Sequence, residues 1–252
     1  MTFDVAPEVY DAYMGRFSAP LARLFAEWAD LPDSGEILDV GSGPGALTAV
    51  LVERYDAASV TAIDPSATFV AAIEQRLPGV EARLGAAEAL PFPDDSFDAS
   101  LAALVVHFMA DAAAGAAEMV RVTRTGGVVA ACVWDQENDR GPFSPYLRAV
   151  RAEAGPRPRR GAPGTRRGDL VRLLEDAGCT DTAEAELEVA VGYETFDGWW
   201  DVHVHGTGTI AGALDGLDAD AVARVRSRAF ADLGEGPFTV RATAWTARGL
   251  AP

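Results

Sequence analysis

Between Glu36 and Trp134 short apolar runs alternate with stretches of helical periodicity. Glu36–Val40 reads as a buried strand, followed by a glycine-rich turn and a helix through Leu47, Val50 and Leu51. Ser59–Ile63 predicts a second strand, Ala67–Arg76 a helix, and Val80–Leu84 a short third strand. Phe97–Val105 predicts another strand and Ala112–Val122 another helix, after which Gly126-Gly127 leads into a strand over Val128–Trp134. Strands that alternate with helices imply βαβ units, a mostly parallel sheet and right-handed crossovers. The expected class is therefore α/β, doubly wound.

Beyond Trp134 the pattern changes. Residues 140–168 are rich in Gly, Pro and Arg, which predicts loop around one short helix at Tyr146–Ala152. Gly168–Ala177 reads as a helix closed by Gly178, and Ala185–Tyr193 alternates as a strand. A helix is expected near Ala219–Leu233. Phe238–Thr246 alternates again, with Phe238, Val240, Ala242 and Ala244 on one face and Thr239, Arg241, Thr243 and Trp245 on the other. These two late strands predict an antiparallel hairpin interrupted by a helical insertion, which completes a seven-stranded sheet.

Composition narrows the function classes. No apolar run is long enough for a membrane helix, and MTFDVAPEVYDAYMGRF carries early acids in place of the apolar stretch of a secretion signal. No membrane partner is expected. Cys132 and Cys179 are too few for a disulfide framework and lack zinc-site spacing, so no metal is expected and a reducing cytoplasm is the default. A formal charge of −17 repels phosphate backbones, so no nucleic-acid partner is expected. The chain contains no lysine, which excludes a P-loop lysine, a Schiff-base lysine and a Tyr-x-x-x-Lys catalytic pair. The sequence leaves the oligomeric state open.

The strongest chemical signal is Ile37-Leu38-Asp39-Val40-Gly41-Ser42-Gly43-Pro44-Gly45. Glycines directly after a buried strand and before a helix let the backbone turn sharply and approach a ligand. Gly41-x-Gly43-x-x-Ala46 also satisfies a dinucleotide fingerprint, so the loop alone indicates only a nucleotide-like cofactor. Asp64, closing the second strand, is placed to accept the hydrogens of ribose hydroxyls; its alternative role is to cap the helix that begins near Ser66.

Four segments in order carry a family resemblance. EILDVGSGPGALT at 36–48 and AIDPS at 62–66 resemble the first two motifs of class I S-adenosylmethionine-dependent methyltransferases. GAAEALPFPDDSFD at 85–98 and MVRVTRTGG at 119–127 are similar to segments of that family's ubiquinone-biosynthesis-like branch, which acts mostly on small molecules. The match covers roughly residues 35–135 and implies a Rossmann-like methyltransferase fold with S-adenosylmethionine as cofactor.

The resemblance also implies roles. Gly41, Ser42, Gly43 and Gly45 would wrap the methionine moiety, and Asp39 would order its amino group. Asp64 would hold the ribose, with Pro65, Ser66 and Phe69 flanking it and the adenine. Ala87 and Glu88 would border the adenine, and Ala103 and Leu104 would close the floor. Ser42 stands where many relatives have Cys, and Ala86 replaces an acid often found there. Residues 10–16 resemble a tyrosine-bearing helix that covers the cofactor, so Tyr13 would shield the sulfonium and Arg16 would pair with the methionine carboxylate. The alternative leaves Arg16 in solvent on a surface helix.

The implied organisation is a cofactor-covering helix within 1–30, a core at 31–193 and 237–252 with a loop-rich insertion at 136–168, and a helical lid at 194–236. Methyl transfer requires positioning and water exclusion more than a fixed catalytic triad. His107, just beyond the fourth strand, is the candidate base or a residue that shapes the pocket. Trp134 and, from the lid, Phe196, Trp199, Trp200 and His203 are the candidate acceptor-binding residues, with core packing as the alternative for the aromatic ones. His203 and His205 form an H-x-H without a nearby third ligand at metal spacing. The expected activity is methyl transfer by in-line displacement to an O, N or C nucleophile of a small, largely apolar acceptor. The competing readings are a cofactor-binding regulator without catalysis and a nicotinamide-dependent oxidoreductase on a similar fold.

Overall fold

The computed structural model describes residues 14–155, 162–204 and 210–252. Seven strands form one sheet: β1 (Ile37–Val40), β2 (Val60–Asp64), β3 (Glu81–Leu84), β4 (Phe97–Ala103), β5 (Thr123–Trp134), β6 (Thr180–Tyr193) and β7 (Phe238–Leu250). Their order is β3-β2-β1-β4-β5-β7-β6. The first five pair in parallel, and β7 runs antiparallel to both β5 and β6.

Alternation along the strands builds a core on each face. From β5, Val128, Ala130, Cys132 and Trp134 enter one core, while Val129, Ala131 and Val133 enter the other. The first core also receives helices α1 (Arg16–Trp28) and α2 (Ala46–Leu51), and Ile73 of α3 (Ala67–Arg76). The second is covered by α4 (Ala112–Val122) and α6 (Asp169–Asp176). A βαβ chain covers both faces of a parallel sheet in this way because its central strands, such as β1 and β2, are buried on both sides.

Three further helices, α5 (Ser144–Ala154), α7 (Phe196–Val204) and α8 (Ala219–Leu233), extend the first core. Caps explain several helix starts. Ser66, Asp111 and Asp218 side chains accept from Phe69, Ala114 and Ala221 N–H groups respectively. α6 is followed by Gly178 at φ +103°, a conformation that favours glycine. The late strands are longer than the alternation predicts: β6 starts at Thr180 and β7 runs on to Leu250. The β6 extension contains a register shift between Thr180 and Ala183, where the two-residue period breaks.

Candidate functional site

The chain runs from β1 outward to β2 and β3, then returns to β4 and β5 on the other side. That reversal opens a crevice beyond the carboxyl ends of β1 and β4, where open α/β sheets bind ligands. A cavity of about 840 Å³ occupies it. One half is lined by the turn after β1, the end of β2 and residues 86–88 and 103–105; the other is lined by Trp134, the turn after β5, α5 and Ile210 and Ala213.

The turn after β1 is tied to β2. The Gly41 and Ser42 N–H groups both donate to the Ile63 carbonyl, at 2.8 and 3.1 Å. The Gly43 N–H donates to Asp64 Oδ2 at 2.8 Å, and the Ser66 N–H donates to Asp64 Oδ1 at 2.8 Å. Asp64 thus fixes the loop and the following turn, while the helix cap itself is Ser66. Each carboxylate oxygen keeps a second lone pair for a ribose hydroxyl. Burial pushes the Asp64 carboxyl above its usual range, against the lowering effect of the two N–H groups.

Gly41 and Gly43 meet different constraints. Gly41 has φ +67°, and a Cβ there would overlap Cγ2 of Val105. Gly43 has φ +55°, and its Cβ would meet nothing within 4 Å, at the lining of the cavity. The missing side chain leaves a cradle for a ligand.

Asp39 is fully buried. Its Oδ2 accepts from Thr48 Oγ1 at 2.6 Å, and its Oδ1 has no partner. Burial pushes its carboxyl up to about 7, with the nearby Asp64 adding to the rise. Ser18 Oγ and Ser42 Oγ are likewise buried without partners on the same lining. A carboxylate in this position suits an ammonium, and the amino-acid end of S-adenosylmethionine carries one. The residues present fit that cofactor.

Pro65, Ser66, Phe69, Ala87, Glu88, Ala103 and Leu104 also line the cavity. Glu88 Oε1 accepts from the Ala110 N–H at 2.7 Å, so the loop entering α4 holds it in place. Leu104, at φ +60°, donates its N–H to the Cys132 carbonyl at 2.8 Å and turns the chain at the cavity floor. His107 lies in the turn Val106–Phe108, on the lining, with Nδ1 buried and unpartnered. Burial lowers its pKa to about 4.

Six expected site residues lie elsewhere, Phe196 among them in the core at 2% exposure. Gly45 is behind the loop at the start of α2, facing Ile73. Arg16 donates to the Gly192 carbonyl at 2.6 Å and sits 4.3 Å from the centroid of the Tyr193 ring, so it fastens α1 to β6 instead of reaching the turn after β1. Trp199 and Trp200 are in the core, 0% and 7% exposed. They pack around Tyr146, with ring centroids at 6.5 and 5.9 Å. His203, expected beside them as an acceptor contact, is also buried and donates from Nδ1 to the Trp199 carbonyl at 2.7 Å. The physical cause is shared: α7 is enclosed by β6, α5 and α8, so its aromatic side chains fill the layer beneath the cavity wall. Tyr13 and His205 lie outside the described residues.

Other lining residues carried no sequence expectation. Ser18, Leu21 and Ala22 of α1 and Leu147, Val150 and Arg151 of α5 belong to this group. Leu147, Val150 and Arg151 fall in the helix expected at Tyr146–Ala152, but no signal in the sequence tied that helix to the cavity. Among the described residues no cluster of three or more His, Cys, Asp or Glu groups is arranged for a metal, and no helix is long and apolar enough to cross a membrane.

The family described as a methyltransferase domain matches residues 38–131, the segment that holds the turn after β1 and Asp64. An uncharacterized methyltransferase of Mycobacterium tuberculosis (strain H37Rv) is 35% identical over 140 residues, covering 56% of this chain and 54% of that protein, so the match spans about half the length of this relative. A trans-aconitate 2-methyltransferase of Mycobacterium sp. (strain KMS) is 30% identical over 235 residues, covering 88% of this chain and 82% of that protein. Among solved structures, the YcgJ protein of Bacillus subtilis shares the fold with a TM-score of 0.57 at 18% identity, over 92% of this chain and 97% of that one. From the glycine loop and its tied carboxylate through to the matched length of its relatives, the chain belongs to the class I S-adenosylmethionine-dependent methyltransferase family.

Proposed function

We propose that this chain transfers a methyl group from S-adenosylmethionine to an O, N or C nucleophile of a small, largely apolar molecule. The observation that carries the reading is the single cavity in which the Asp39–Gly43–Asp64 half runs into a half walled by Trp134, Phe143, Leu147, Val150 and Ile210. Apolar walls with a few placed polar groups are the usual make-up of a small-molecule site. The small-molecule branch suggested by residues 85–98 and 119–127 agrees with it.

When bound, the cofactor supplies a methyl carbon made electrophilic by positive sulfur. Asp39 and the backbone at Gly41–Gly43 hold its amino-acid end, Asp64 its ribose, and Phe69, Ala87 and Glu88 the adenine side. Ser18, Leu21 and Ala22 of α1 cover the cavity and exclude water. His107, uncharged at neutral pH, accepts a hydrogen bond from a hydroxyl or amine of the acceptor and orients it. A weakly basic imidazole suits this orienting role better than removal of a tightly held proton.

The test combines binding and turnover on the full chain. S-Adenosylhomocysteine should bind on the order of micromolar, about −8 kcal/mol, and NAD should not compete. Labelled methyl should pass to members of a library of small apolar hydroxyls, amines and activated carbons. Preference for NAD overturns the cofactor assignment, and label found only in peptides or oligonucleotides overturns the acceptor class. Cofactor binding without transfer to any acceptor would instead support a regulator.

A further inference from the structure

The acceptor half holds charges that this transfer does not use. Among the described residues its lining contains one guanidinium, Arg151 on α5, and two carboxylates, Glu137 and Asp139, on the turn after β5. Arg151 donates to Asp139 Oδ2 at 2.7 Å, and Glu137 faces the Arg166 guanidinium at 3.4 Å. Uncharged His107 adds no positive charge.

The turn that presents Asp139 is rigidly anchored. Asp135 is fully buried and accepts from Arg140 Nε at 2.6 Å and from the Asn138 backbone and side-chain amides at 3.1 and 3.0 Å. Arg140 makes a two-pronged contact with Glu186 of β6, both bonds at 2.8 Å. The Asp135 N–H donates to the Thr243 carbonyl at 2.9 Å, which joins the turn to β7. Asp139 is therefore held against Arg151 by the sheet, at a side-chain exposure of 32% for the acid and 25% for the arginine.

We propose that Asp139 determines specificity: by occupying Arg151 it makes the acceptor half select uncharged acceptors and reject carboxylates. The inference rests on the reading of this cavity half as the acceptor site. A carboxylate entering here would lose its hydration and meet a guanidinium already engaged by Asp139, while Glu137 faces its own cation, Arg166. An uncharged aromatic or aliphatic body meets only the apolar wall. Asp139 has φ +54°, a left-handed conformation that Asn adopts as readily as Asp. Asp139→Asn therefore removes the charge without a change of backbone and leaves Arg151 available to an anion.

The isosteric pair 2-naphthamide and 2-naphthoate serves as the probe, titrated calorimetrically into the full chain saturated with S-adenosylhomocysteine. The unsubstituted protein should bind the amide at least tenfold more tightly than the carboxylate. Asp139→Asn should move that ratio at least tenfold toward the carboxylate, and Asp139→Asn with Arg151→Met should reverse the gain. Equal or tighter binding of naphthoate by the unsubstituted protein overturns the proposal. So does failure to bind naphthamide, or an unchanged ratio in an Asp139→Asn protein whose melting temperature matches. Should Asp139→Asn fail to fold, the ratio in the unsubstituted protein decides alone. Failure of S-adenosylhomocysteine to bind is a separate result, which counts against the methyltransferase reading.

Discussion

Gly41 and Gly43 stand two residues apart and should respond in opposite ways to the same substitution. Gly41→Ala combines left-handed strain with overlap at Val105 and should cost about 2–5 kcal/mol of stability in urea denaturation. Gly43→Ala has only the backbone strain, about 1–2 kcal/mol, but its methyl group occupies the cradle. It should fold and lose about tenfold or more in S-adenosylhomocysteine affinity. Asp39 gives a second expectation. With its carboxyl near 7 in the free protein, most molecules are protonated at pH 6, and an arriving ammonium favours the ionised form. Binding at pH 6 should therefore release about one proton, measured by calorimetry in buffers of different ionisation enthalpy. Asp39→Asn should abolish the release; an unchanged release would place the proton elsewhere.

Among the elements, α3, α4 and α8 follow the bounds expected from sequence because Ser66, Asp111 and Asp218 cap an amphipathic run in each. The glycine loop and Asp64 were legible because each carries a local signal, glycines directly after a buried strand and an acid that closes the next, although the loop itself is held by Ile63 and Asp64 of β2. What the sequence concealed depends on distant partners. Trp199 and Trp200 resemble lid aromatics until Tyr146 is found packed against both, and Arg16 resembles a cofactor ligand until Gly192 is found beside it. The Arg16 contact makes α1 a wall strapped at one end to β6. Arg16→Ala removes a carbonyl hydrogen bond and a cation–π contact, together about 1 kcal/mol at this exposed position. Stopped-flow measurement should show S-adenosylhomocysteine leaving several-fold faster with little change in melting temperature. An unchanged release rate would mean that α1 does not move when ligand departs.

For the whole molecule, buried titrating groups set the response to acid. His107 and His203 are lowered to about 4 by burial, so between pH 5 and 6 the unfolded chain binds two protons at these sites that the folded chain does not. Asp39 acts in the opposite sense, since its raised carboxyl is protonated only when folded in that window. Asp64, also raised by burial, adds to that opposing side. Asp39→Asn should therefore make stability rise more steeply from pH 5 to pH 6 than in the unsubstituted protein, by about 1.4 kcal/mol over that unit. Urea midpoints read the two slopes, and equal slopes would contradict the raised Asp39 carboxyl. The same whole-molecule view gives meaning to the place of β7 inside the sheet. Ile37 and its partner Val60 are 23 positions apart (60 − 37), whereas Val128 and Leu250 are 122 apart (250 − 128). Closing the longer loop costs about 1.5 kcal/mol more chain entropy, and it is this closure that brings the β6–β7 pair beside β5 in the sheet. The strands that carry the turn after β1 and Asp64 are thus joined by shorter closures than those that frame the Trp134 side of the cavity, so loop entropy favours forming the first before the second.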